Sequence, residues 1–213
     1  MCIRDRVLSD VGVSFGIMGQ HEWCDGNEVR TLGEFGLFEL TAQRNIDQFA
    51  DAGVKKVITL SPHAYHTMKN EYPALGADFQ VFHYTQVLAQ MADSLPIHEK
   101  KEPLCVTFHD PCYLGRHNKD FYSPRTILDR LGKVRVVEMD RSMNDSLCCG
   151  GGGGNFFTDI LPGGDPGSSS RTRVREAADT GADVLAVACP KCAKMFEDAL
   201  KAEGLEERLR VCD

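Results

Sequence analysis

Five cysteines in the second half of the chain have the types and spacing to do chemistry. Cys112, Cys148, Cys149, Cys189 and Cys192 follow the pattern C-x35-CC-x39-C-x2-C. Thiolates are soft-metal ligands and nucleophiles for disulfide exchange. Cys189-Pro190-Lys191-Cys192 opens a helical pattern with Pro at its first position, where the helix dipole and free N–H groups stabilise thiolates. A thiol–disulfide exchange centre at that motif alone would leave Cys112, Cys148 and Cys149 unused. A structural zinc module with four cysteine ligands is the alternative. It strands a fifth thiol, and the side chains of adjacent Cys148 and Cys149 diverge. The run Gly150–Gly154 lets backbone come close to a bound anionic group, so the N–H groups of Gly150 and Gly151 join the candidate cofactor contacts. No Gly-Lys-Ser/Thr follows the run, so it is not a phosphate loop.

The elements that must position these residues alternate short β-rich runs with helical ones. Strands are expected at 11–17, 56–60, 79–84, 104–108, 134–139 and 183–188, with a further one beginning at 209–212. Helices are expected at 31–52, 62–72, 85–95, 124–131, 171–180 and 190–203. Residues 97–103 read as a Pro-bounded linker, and 150–154 and 161–170 as loops. This alternation predicts an α/β fold with mostly parallel sheets. Each cysteine group follows a strand, and in parallel sheets the carboxyl ends of the strands share the edge where ligands bind. The five thiols should therefore converge.

Composition bounds the rest. The chain has 213 residues, 42% apolar, with 24 Lys+Arg against 31 Asp+Glu and a formal net charge of −7. That suits a globular core and excludes intrinsic disorder. The acidic balance argues against a nucleic-acid partner. No run is apolar enough to span a membrane directly, and none reads as a secretory leader. A cytoplasmic location is expected, with any membrane association arising through a partner protein. Met1–Arg6 lacks periodicity and reads as extraneous to the fold.

The sequence repeats itself. Gly53–Ala64 aligns with Gly181–Cys192 at an offset of 128, each being Gly, strand, then x-Pro-x-x opening a helix. Upstream, Cys24-Asp25-Gly26 aligns with Cys148-Cys149-Gly150 at an offset of 124. Residues 7–97 are thus expected to be a degenerate, partial first copy and 104–213 an intact second copy. The first-copy counterpart of Cys112 would fall before residue 1, so the chain reads as a fragment truncated at the front of its first repeat.

Cys112, Cys148-Cys149-Gly150 and Cys189-Pro190-Lys191-Cys192, with the flank His109-Asp110-Pro111-Cys112-Tyr113-Leu114-Gly115-Arg116, resemble the CCG cysteine-rich domain. That domain occurs in the B-type and D-type subunits of heterodisulfide reductase and in the iron–sulfur subunits of glycolate and lactate oxidase complexes. The resemblance implies two pseudo-symmetric α/β repeats. It also implies an oxidoreductase subunit with a [4Fe–4S] cluster, non-cubane in the B-type subunit of heterodisulfide reductase. The implied metal ligands are Cys112, Cys148, Cys149, Cys189 and Cys192. Electrons would pass from a flavoprotein or ferredoxin-type domain, or to and from a membrane cytochrome subunit. The acceptor would be a small disulfide, a hydroxy-acid-linked substrate or a quinone-linked partner.

The first copy departs from the pattern. It has Asp25 where the second has Cys149, and Ser61-Pro62-His63-Ala64 where the second has Cys-Pro-x-Cys. One thiol cannot hold a four-iron cluster. Cys24, Asp25 and His63 are what remains for a mixed site, and a scaffold role is the preferred reading. His109, ahead of the first ligand, is a candidate proton donor, and Asp110 a turn-former. Arg116 and His117 read as loop residues with some claim on a substrate anion. Cys105 and Trp23 read as core.

Overall fold

In a computed structural model that describes residues 3–95, 103–158 and 165–213, helices and parallel strands alternate as expected for an α/β fold. The first half runs α1 (Ile3–Asp10), α2 (Asn27–Thr31), α3 (Phe35–Asp51), β1 (Lys56–Thr59), α4 (Pro62–Asn70), β2 (Gln80–His83) and α5 (Tyr84–Gln90). The second runs β3 (Leu104–Phe108), α6 (Ser123–Arg130), β4 (Val134–Val136), α7 (Asn155–Thr158), α8 (Ser169–Asp179), β5 (Val184–Ala186), α9 (Pro190–Glu203) and β6 (Arg210–Cys212). The expected linker falls mostly on residues 96–102, and much of the expected loop at 161–170 on 159–164. Both stretches lie outside the described residues.

β1 and β2 pair in parallel, with Val57 opposite Val81. The second sheet has the order β4-β3-β5-β6, all parallel, with Val106 opposite Val184 and Leu185 opposite Val211. β3 and β5 are central, and Val106, Phe108, Val184 and Leu185 are buried, as strands covered on both faces require. α8 and α9 cover β5 with a core that includes Val174, Leu185, Phe196 and Leu200, and Cys149, Cys189 and Cys192 lie within it. A second cluster holds Leu8, Tyr65, Tyr84 and Leu88 from one half together with Phe108, Leu114 and Ala188 from the other.

Three expectations are corrected. Residues 11–17 form no strand: Val11 and Gly12 turn, and 13–18 are irregular. The start of the chain is not extraneous, because α1 begins at Ile3 and buries Leu8. Arg4 also pairs with Asp213 and lies over the Tyr84 ring. Trp23 is 47% exposed, with the Arg44 guanidinium 3.1 Å from its ring centroid.

The two aligned cysteine turns share one geometry. Gly26 and Gly150 have φ of +80° and +81°, a left-handed conformation that favours Gly. Each N–H points at the sulfur two residues back, Gly26 to Cys24 Sγ and Gly150 to Cys148 Sγ, both at 3.4 Å.

Candidate metal centre

Each cysteine is delivered by the end of a strand of the four-stranded sheet. Cys112 follows β3 in a tight turn in which the Leu114 and Gly115 N–H groups donate to Pro111 O. Asp110 fixes that turn. Its buried carboxylate takes two hydrogen bonds from Arg125, at 2.7 and 3.0 Å, and one from the Met143 N–H at 2.7 Å. It is thus more than a turn-former, since it ties the loop after β3 to the loop after β4. Arg116 adds a second tie by donating to Ser146 O at 2.5 Å. Cys105 is buried in β3, away from the site, as a core thiol.

Cys148 and Cys149 end the long segment after β4. Cys189 follows β5, caps α9 in an extended conformation and is followed by Pro190 at the first helical position. Cys192 lies one helical turn on. Cys149, Cys189 and Cys192 are buried, whereas Cys112 and Cys148 are half-buried.

The five sulfurs form one row. Cys148 shares thiol hydrogen bonds with Cys112 on one side and Cys149 on the other. Cys192 Sγ is 3.3 Å from Cys149 Sγ, and Cys192 also bonds to Cys189. The row extends into the first half at His63, whose Nδ1 is 3.9 Å from Cys189 Sγ. Hydrogen bonds from Cys112 and Cys149 push the Cys148 thiol far down, and the bond from Cys192 does the same for Cys189. Cys112, Cys149 and Cys192 are pushed up, first by sharing their protons with these neighbours and then by burial. Adjacent thiolates repel in a dry site, so all five can ionise only around a cationic group. The donor set fits such a group. Among the described residues, no three His, Cys, Asp or Glu side chains converge on a position for a single ion. Five thiols exceed the four that one tetrahedral ion takes, which suits a multinuclear group better.

The glycine run closes the site. Gly151 has no room for a side chain: a Cβ there would lie 2.8 Å from Met195 Cγ and 3.7 Å from Cys149 Sγ. Gly154 donates to Glu28 Oε2 at 2.9 Å, which clamps the run to α2 of the first half.

His109 is buried beside the row, edge-on to Phe196. Burial and then the nearby Arg173 guanidinium lower its pKa to about 3. The ring forms an inner wall of the site, between Phe196 and Arg173. Arg173, fully buried on α8, is the residue that sequence reasoning missed. It donates to His109 Nδ1 at 3.4 Å, Arg141 O at 2.7 Å, Ser146 Oγ at 3.1 Å and Glu176 Oε2 at 2.9 Å. Its signal was available: Arg173 shares a helix face with Val174 and Ala177. His117 is exposed, and its ring stacks on Tyr113 at 4.6 Å.

In the first half the mixed site does not assemble. Cys24 is exposed, Asp25 accepts the Asn27 N–H at 2.8 Å, and His63 turns to Cys189.

Comparison with known proteins places this architecture. A family model described as "CCG: Cysteine-rich domain" matches residues 3–69 and 106–197, one segment in each half of the chain. The chain belongs to the CCG cysteine-rich domain family. CCG relatives include the probable iron–sulfur-binding oxidoreductase FadF of Bacillus subtilis, 37% identical over 98% of this chain and 29% of that protein. The EtfAB:quinone oxidoreductase of Syntrophomonas wolfei is 36% identical over 98% of this chain and 30% of its own length. The D-type subunit of the dihydromethanophenazine:CoB–CoM heterodisulfide reductase of Methanosarcina barkeri is 35% identical over 95% of this chain and 51% of its own length. The chain thus spans between about a third and a half of these CCG proteins, whose names are those of oxidoreductases and subunits of redox complexes.

Proposed function

We propose that this chain is the cluster-bearing part of an iron–sulfur oxidoreductase of the heterodisulfide reductase type, holding a [4Fe–4S] cluster through Cys112, Cys148, Cys149, Cys189 and Cys192. The observation that carries the reading is the unbroken row of five sulfurs at the carboxyl edge of a parallel sheet. When bound, such a cluster supplies electron transfer at that edge.

The chain's own residues do the rest. The Gly150 N–H donates to the Cys148 sulfur, a contact that stabilises negative charge there. His109, Phe196 and Met195 wall the inner side and keep water out. Cys112 and Cys148, the less buried pair, form the accessible end of the row. A substrate disulfide would approach at that end. Its reduction consumes two electrons and two protons, RSSR′ giving RSH and R′SH. The electrons would come from a partner flavoprotein or a ferredoxin-type domain. A quinone-linked acceptor is the parallel case, favoured by the quinone oxidoreductase among the relatives. Among the described residues, no helix is long and apolar enough to cross a membrane. A cytoplasmic location, with membrane contact through a cytochrome-type partner, is part of the proposal.

Anaerobic purification, with iron, sulfide and zinc analysis and visible and electron paramagnetic resonance spectra, tests it. About four iron and four sulfide per chain are expected, with Cys148→Ser and Cys149→Ser each losing them. One zinc and no visible absorption would overturn the redox reading in favour of a structural zinc module.

A further inference from the structure

The first half of the chain reaches the sulfur row through one side chain. His63 is the second residue of α4 and occupies the place in the repeat that Lys191 occupies in the second copy. Its backbone is set by the helix start. Ser61 Oγ accepts the His63 N–H at 3.2 Å, and Pro62 takes the first helical position. The ring points out of its own half. Its centroid lies 4.3 Å from that of Tyr113, and Nδ1 lies 3.9 Å from Cys189 Sγ. His63 is 4% exposed, and its Nε2 has no hydrogen-bond partner among the described residues. That nitrogen faces the glycine run, since a Cβ on Gly152 would lie 3.8 Å from it.

A buried imidazole nitrogen without a partner is costly, and native sites keep such groups for a ligand. Here one nitrogen meets a ligand sulfur and the other meets the side-chain-free strip beside Cys149 and Gly150. Both ring nitrogens border the space where the metal centre would sit.

We propose that His63, supplied by the repeat whose helix-opening motif carries no cysteine, is a positioning residue of the metal centre, with its ring N–H bonded to the Cys189 sulfur of the bound cluster. The proposal deepens the iron–sulfur reading above and rests on it. A hydrogen bond to a ligand sulfur favours the more negative, reduced state and so raises the reduction potential. It also explains why a repeat unable to bind a cluster stays packed on the one that can. The exchange runs both ways, because Lys191 of the intact copy pairs with Glu28 of the degenerate one. Each half thus sends the residue after its helix-opening Pro into the other.

Two substitutions test this in the full chain, reconstituted anaerobically. His63→Gln keeps an N–H donor of similar reach, whereas His63→Leu keeps the volume and removes the donor. Iron and sulfide content and circular dichroism are read first, then the midpoint potential and the nitrogen couplings in pulsed electron paramagnetic resonance. His63→Leu is expected to lower the potential by about 59 mV, tenfold in a one-electron equilibrium. His63→Gln should stay near the wild-type value. The imidazole nitrogen coupling of the wild type should vanish in both. A folded His63→Leu that loses its iron while His63→Gln keeps it would also support the role. Wild-type iron content with an unshifted potential in His63→Leu overturns the role of His63 alone. A wild-type chain that binds no iron and sulfide overturns the cluster reading and this proposal together.

Discussion

Lys191, which stands between the two cysteines of Cys189-Pro190-Lys191-Cys192, forms an ion pair with Glu28 on α2 of the opposite half. The same carboxylate takes the Gly154 N–H through its other oxygen. Lys191 also feels the charges of Asp25 and Cys24, while its own burial lowers its pKa. In the first copy, then, an ammonium ion stands beside the turn that in the second copy presents Cys148 and Cys149.

Removing that ammonium should loosen the junction between the halves without touching a sulfur. Lys191→Met keeps the aliphatic stem and loses the charge. The pair is partly screened by solvent, with side chains 18% and 17% exposed. A cost of about 1 kcal/mol is expected, between the worth of a surface pair and that of a buried one. Urea denaturation of the metal-free chain measures it. An unchanged midpoint would show that the pair does not hold the halves together.

Stability should fall on mild acidification, for a reason that lies outside the metal centre. His83 ends β2 fully buried, with Nδ1 2.7 Å from Thr85 Oγ1. Burial lowers its pKa from 6.5 to about 3; the Leu60 backbone pulls it up and the Arg4 charge pushes it further down. Below pH 6.5 the unfolded chain binds a proton here that the folded chain refuses. Stability present above about pH 6.5 is therefore lost progressively as pH falls towards 3, at up to about 1.4 kcal/mol per pH unit. Between pH 7.5 and 5.5 the wild-type chain should lose about 1.4 kcal/mol more than His83→Gln. Equal losses in urea titrations of the two proteins would sink the assignment.

Local rules were legible in the sequence. Pro190 at the helix start and Gly204 just past its end bound α9 at the residues expected, and the Gly, strand, x-Pro pattern placed β1 with α4 and β5 with α9. The gathering of the five cysteines followed from one rule about parallel sheets. The failures are tertiary. Val11–Ile17 has strand-like residues, but in the structure it pairs with no sheet and runs as an irregular stretch after α1. Trp23 reads as core by size, yet its ring is satisfied by Arg44 at the surface. His63 matched a cysteine-motif position in its own repeat, and only the packing of one half on the other shows that it reaches Cys189. Arg173 was overlooked because a charged residue on a helix is usually solvated, whereas here every arm of its guanidinium finds a partner.

That last residue gives the sharpest test of how the site is held. Arg173 touches no cysteine, but it fastens the segment from Arg141 to Ser146, which leads into Cys148, and it fastens His109, which leads into Cys112. Its fork reaches four acceptors on three segments, a geometry that the point charge of Lys cannot reproduce. Arg173→Lys keeps the charge and loses most of these bonds, leaving Ser146 Oγ and the Arg141 carbonyl without their Arg173 donors. A loss of about 3 kcal/mol is expected, the scale for breaking a buried charged network. Iron retention should fall as well, since the loops delivering Cys112 and Cys148 lose their common anchor. Urea denaturation of the metal-free chain reads the first effect, and iron per chain after anaerobic desalting reads the second. If stability falls and iron is fully retained, the sulfur row is held by its own strand ends and Arg173 serves the fold alone.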